Sequence, residues 1–208
     1  MKSLKEIMLE ASILSDIEDT LKSGDQQIKD EIVKFLEKRF KFKKGSYTIS
    51  DNPNDDGKYI VDASGDVEAA NNYTLTELTN EYFVWGKVRG LFNIAFCSKL
   101  TTLEGGPTEV GKIWVTECNG LTSLKGAPKR VRGNFSANDC KELKTLDTGT
   151  ETVEGDFDIC YCSKLTDVKG APKRVWGQFK CLDCVGLYKN NISRKDIEDN
   201  CRVEEIIF

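Results

Sequence analysis

The sequence predicts an α+β repeat protein, a solenoid with a parallel β-sheet along one face, capped by N-terminal α-helices. Three observations carry this. Cysteine returns every 21 or 22 residues, at Cys97, Cys118, Cys140, Cys162 and Cys184. Each is followed three positions later by leucine: Leu100, Leu121, Leu143, Leu165 and Leu187. Ahead of each cysteine the apolar side chains alternate, Phe92 with Ile94, Ile113 with Val115, Phe135 with Ala137, Phe157 with Ile159 and Phe179 with Cys181, which is the period of a short half-buried strand. One such unit cannot bury its apolar face alone, so successive copies must stack.

Taken in order, residues 1–44 read as the helical cap. Leu4, Ile7, Met8 and Ala11 have helical spacing, and Ile28, Ile32, Val33, Leu36 and Phe40 form a stronger stripe behind the expected N-cap Asp25. Two or three helices fit 2–42 and would cover the unpaired apolar end of the stack. Residues 45–87 form an acidic, degenerate first coil, with eight acidic side chains against Lys58 between 45 and 83. Five coils follow over 88–187. Their unit is V-x-G-x-F-x-x-x-x-C-x-x-L-x-x-L-x-G-x-P, as in Val131, Gly133, Phe135, Cys140, Leu143 and Leu146. Glycine ahead of each strand permits a tight turn, and proline in the return path removes a donor and fixes φ, so each coil is strand, bend and return. Residues 188–208 are a closing helix and tail.

Composition excludes several chemistries. The chain has no histidine, which removes Ser-His-Asp and Cys-His nucleophiles, HExxH sites and His-bearing zinc centres. No apolar run reaches membrane-spanning length, and Glu6 and Glu10 interrupt the first stretch, which therefore does not read as a signal peptide. The expectation is a cytoplasmic protein with reduced thiols and no membrane association. No segment is basic enough to indicate nucleic-acid binding by composition.

Four constellations invite function. Cys160, Cys162, Cys181 and Cys184 have a zinc-like spacing, but Cys162 and Cys184 belong to the cysteine ladder, and alternation turns Cys181 inward and Cys160 outward, so no metal or other cofactor is expected. Asp156 and Asp158 share a strand face as paired acids can in glycosidases, yet they read as a solvated face, and no enzyme is expected. The outward strand positions carry Phe96, Trp114, Glu117, Asn138, Asp139, Asp158, Tyr161, Lys180, Leu182 and Asp183, aromatics interleaved with acids that suit a protein partner with basic groups. An alternative basic edge of Lys125, Lys129, Arg130, Arg132, Lys169, Lys173 and Arg174, with Trp176 beside it, could track nucleic-acid phosphates, although Asp147, Thr148, Gly149, Thr150 and Glu151 interrupt it.

The pattern F-x-x-x-x-C-x-x-L-x-x-L resembles the cysteine form of the leucine-rich repeat. LTSLKGAPKRVRGNF is similar to short repeats of uncharacterised bacteriophage and bacterial proteins, in which 57–90 resembles the degenerate first coil and Ile192–Ile197 the closing helix. MKSLKEIMLEA also resembles the leader that directs internal proteins into the heads of T-even-like phages, through Met1, Lys2, Glu6, Glu10 and Ala11, with Ser3 conservative. The resemblance implies a phage-encoded factor that binds and blocks a host protein or a defence complex, a CRISPR effector included, or else a protein packaged in the virion.

Overall fold

The computed structural model describes residues 4–43 and 45–208. In chain order the elements are α1 (Leu4–Arg39), β1 (Lys41–Phe42), β2 (Tyr47–Ile49), β3 (Tyr59–Ala63), β4 (Val67–Glu68), β5 (Phe83–Asn93), β6 (Glu109–Trp114), β7 (Arg130–Val131), β8 (Phe135–Ser136), β9 (Thr152–Val153), β10 (Phe157–Asp158), β11 (Arg174–Val175), β12 (Gln178–Lys180), α2 (Val185–Lys189), α3 (Arg194–Asn200) and β13 (Glu205–Ile207). Residues 1–38 form one unit and residues 39–208 another.

The first unit corrects the expectation of two or three helices. α1 is a single helix of 36 residues that runs through Asp25 without a break. No proline interrupts its ladder, and Gly24 alone costs only about 1 kcal/mol. The Ser23 hydroxyl donates back to the Thr20 carbonyl at 2.8 Å instead of capping a new helix. Side-chain links one turn apart, Gln26 to Asp30 at 2.8 Å and Lys34 to Glu31 at 2.6 Å, continue the helix beyond it. Met1, Lys2 and Ser3 of the leader-like segment lie outside the described residues.

The second unit is a parallel-strand β-solenoid of about six turns. Each regular coil has two strand positions, not one, separated by the bend at the repeated glycine. The first builds the column Val88, Val110, Val131, Val153 and Val175, and the second the column Phe92, Ile113, Phe135, Phe157, Phe179 and Ile206. All of these side chains are buried. The rings of Phe135, Phe157 and Phe179 meet edge to face with centroids 5.2 Å apart at both contacts. The leucine side closes the core, and its backbone also pairs between coils, Leu103 N–H to Lys125 O and Leu124 N–H to Leu146 O, both at 3.0 Å.

Cysteine is periodic because its small thiol fits the inside of a corner. Cys118 Sγ donates to Ile94 O at 3.0 Å, Cys140 to Val115 O at 3.2 Å, Cys162 to Ala137 O at 3.3 Å and Cys184 to Ile159 O at 3.0 Å, in each case a carbonyl of the preceding coil. The residue just before each cysteine turns the corner in the left-handed region: Phe96, Glu117, Asp139, Tyr161 and Asp183 have φ between 55° and 63°. The repeated glycine allows coils to approach closely; a Cβ on Gly155 would lie 2.7 Å from the Gly133 carbonyl carbon. Beside it Asn134 Oδ1 accepts the Asp156 N–H at 3.1 Å, and Asp156 Oδ1 accepts the Gln178 N–H at 3.0 Å.

Both ends depart from the repeat. The segment Val67 to Leu78 makes a complete coil, with Val67 level with Phe92, and Leu75 and Leu78 buried in the leucine positions. Antiparallel pairs of β1 with β4 and β2 with β3 edge it. Trp85 lies against Phe40, Phe83 and Phe92, and its indole donates to Leu78 O at 2.7 Å. At the other end the tail is more than a helix. α3, started by a capping box between Ser193 and Asp196, leads into β13, which adds one more parallel strand beyond β12.

Candidate functional site

The sheet face is built by the side chains that alternate with the buried Phe column. Asn93, Trp114, Ser136, Asp158 and Lys180 occupy consecutive strands in register, about 4.8 Å apart. Two residues further on lie Ala95, Thr116, Asn138, Cys160 and Leu182, and then the left-handed corner with Phe96, Glu117, Asp139, Tyr161 and Asp183.

The expected partner-binding residues fall on this face but do not all reach outward. Trp114 is 44% exposed and Tyr161 51%, two coils apart along the stack. Leu182 and Asp183 are exposed beside Tyr161, while Phe96, Glu117, Asp139 and Asp158 are half-buried. Asn138 and Lys180 are engaged within the chain. Asn138 Oδ1 accepts the Thr116 hydroxyl at 2.6 Å and the Ser136 hydroxyl at 3.2 Å, and Lys180 Nζ meets Asp156 Oδ2 at 2.7 Å, so both are tied into the scaffold.

Electrostatics sharpen the picture. The Gln178 N–H, and after it Lys180, hold the Asp156 carboxyl below its ordinary range, so it stays ionised and occupied. Asp158 Oδ1 accepts the Cys160 N–H at 3.0 Å. Cys160 lies in the outward row, as alternation predicts, and is buried there; burial first, then the Asp158 carboxylate, push its thiol up to about 12. Cys162 and Cys184 point to carbonyls inside, on the other side of the strand from Cys160. Among the described residues no cluster of three acidic or cysteine side chains is placed to hold a metal ion.

The basic edge is not a free line of cations. Lys125 pairs with Glu104 at 2.9 Å, Arg130 with Glu154, Arg132 with Glu109 at 2.5 Å, and Lys173 with Glu151 at 4.0 Å. Arg174 lies over the Trp176 ring, 3.7 Å from its centroid. Among the described residues Lys129 and Lys169 make no ion pair. The interrupting third coil supplies much of this neutralisation, because Glu151 and Glu154 sit between the two basic coils. Its Thr148 and Thr150 are buried, donating to Gly170 O at 2.9 Å and Pro128 O at 2.8 Å.

Sequence reasoning missed the left-handed corners, since no glycine marks them, and the cross-coil ion pairs, although the 24-residue step from Arg130 to Glu154 was there to be read. No helix among the described residues is long and apolar enough to cross a membrane. The chain matches no protein-family profile, no curated protein and no solved structure.

Proposed function

We propose that the protein is a non-enzymatic binding module whose sheet face and left-handed corner take a protein partner with a basic surface. One observation carries the reading: Trp114 and Tyr161 stand exposed on one face, with Leu182 exposed beside Tyr161 and acidic side chains around them. Half-exposed aromatics offer large contact area at little entropic cost, and Glu117, Asp139, Asp158 and Asp183 around them favour cations opposite. The C-x-x-L-x-x-L stack supports a leucine-rich-repeat-like identity for the coils, a scaffold on which function is set by the outward positions. The repeat resemblance points to a phage-encoded factor acting on a bacterial protein. Neutralisation of the basic edge by its own ion pairs favours this surface over a nucleic-acid one.

The test is affinity capture from bacterial lysate with wild type and with Trp114→Ala/Tyr161→Ala. A defined protein captured by wild type and lost in the double variant supports the reading. Capture of the same protein by both removes the sheet face from it, and recovery of nucleic acid alone replaces the proposal with the basic edge.

A further inference from the structure

On a different surface, the column Arg130, Thr152 and Arg174 runs in register across β7, β9 and β11. Two residues along, past the buried valines, lie Arg132, Glu154 and Trp176. The short Thr152 side chain makes a floor between two walls. Arg130 paired with Glu154 forms one, and Trp176 with Arg174 packed over its ring forms the other. Glu154 follows the middle strand, β9, while Arg130 and Arg174, on β7 and β11, stand two strand spacings apart, about 9.5 Å. The cavity between them, which Glu151 also lines, has a volume of about 500 Å³. This is the size of a small-ligand site.

We infer that this slot binds a neutral saccharide, one or two rings long. Trp176 is 54% exposed, so although Arg174 covers part of the ring, much of its apolar surface stays open to stack against the C–H face of a sugar. The opposite wall presents guanidinium donors and a carboxylate acceptor side by side, the pairing that vicinal hydroxyls satisfy in both directions. Thr152 adds a hydroxyl from below. Charge decides the ligand class. Around the slot Arg130 and Arg174 stand against Glu151 and Glu154, two cations against two anions, so it carries no net charge to select a phosphate or an ammonium group. A polar, uncharged ring is what remains. Nothing in the sheet-face reading is needed for this.

The experiment follows the three indole N–H resonances of the ¹⁵N-labelled full chain, with that of Trp176 assigned through Trp176→Phe. The probes are glucose, N-acetylglucosamine, cellobiose, maltose and diacetylchitobiose, each raised to tens of millimolar, and adenosine and AMP as the competing class. At least one sugar shifts the Trp176 resonance saturably and leaves that of Trp114 in place. Binding then weakens at least tenfold in Trp176→Ala and measurably in Glu154→Gln. Both residues lie on the surface, and unchanged far-UV circular dichroism confirms that each variant is folded. The inference is overturned if no sugar moves the Trp176 resonance, if adenosine or AMP moves it where sugars do not, or if folded Trp176→Ala binds the sugar unchanged.

Discussion

Raising the pH should unfold this protein through its cysteines. All eight thiols are buried and free. Burial pushes Cys97, Cys184 and Cys201 up to about 11 and Cys140, Cys160 and Cys181 to about 12, with Cys118 and Cys162 shifted further in the same direction. In the unfolded chain each titrates near its ordinary value of about 8.5. The folded state therefore keeps protons that the unfolded state releases. Their contribution is complete below about pH 8.5 and is lost as the pH rises from there toward 11. At about pH 9.5 each thiol favours unfolding by about 1 kcal/mol, and eight together by on the order of 10 kcal/mol. That equals the whole stability of a typical domain, about 5–15 kcal/mol. Urea unfolding followed by circular dichroism, under reductant, between about pH 7.5 and pH 9.5 measures it. The midpoint should fall steeply above about pH 8.5 and more gently in Cys118→Ala, which removes one thiol from the sum. A midpoint that stays level across this window refutes the claim that the thiols are held neutral by burial.

Three further outcomes follow from packing. Phe157→Ala removes two edge-to-face contacts and Phe135→Ala one, so on a base of about 3–5 kcal/mol for a buried ring the first should cost about 1 kcal/mol more in denaturant unfolding; equal costs would deny the aromatic column any energy of its own. Gly155→Ala should destabilise by about 1–3 kcal/mol, because the neighbouring backbone carbon at 2.7 Å cannot yield as a side chain would, whereas Gly24→Ala, in open space on α1, should raise thermal stability of the helix by about 0.5–1 kcal/mol. Ser193→Ala opens the capping box of α3 and should cost about 1 kcal/mol, read as faster hydrogen exchange of the Asp196 amide.

The inward half of each coil was legible because burial imposes a period that sequence displays. Phe135, Cys140, Leu143 and Leu146 all sit where their spacing put them. The length of α1 was not legible: Ser23-Gly24-Asp25 has the composition of a break, and only the absence of a competing cap decides that the ladder continues. The acidic first coil was read as degenerate from its charge, and Asn72 does stand where later coils have cysteine, yet Leu75 and Leu78 still fill the leucine positions. On the outside, the rows follow from alternation but their contacts do not. Lys180 and Asn138 look free in one dimension and are held by partners 24 and 22 residues away, and Arg130 and Arg132 look like a phosphate track until Glu154 and Glu109 fold against them. Contacts between coils are long-range, so they appear in the sequence only when both partners obey the repeat.

The residues that disobey it are the ones most informative about function, and Tyr161 shows this in energetic terms. Its corner has φ near 63°, where a side chain with a Cβ costs about 1–2 kcal/mol unless it is Asn or Asp. Asp139 and Asp183 occupy the equivalent corners in the coils on either side, so the less strained solution is present in the same molecule. A half-exposed tyrosine recovers little of that cost through burial. Phe96 and Glu117 bear the same cost at their corners, and on the proposed reading Tyr161 bears it for a partner outside the chain. Tyr161→Asn should raise stability by about 1 kcal/mol in urea unfolding and at the same time weaken capture of the partner. Neither a merely tolerated residue nor a core residue behaves this way. The first would gain stability with binding unchanged, and the second would lose stability; either result would detach the corner from the proposed site.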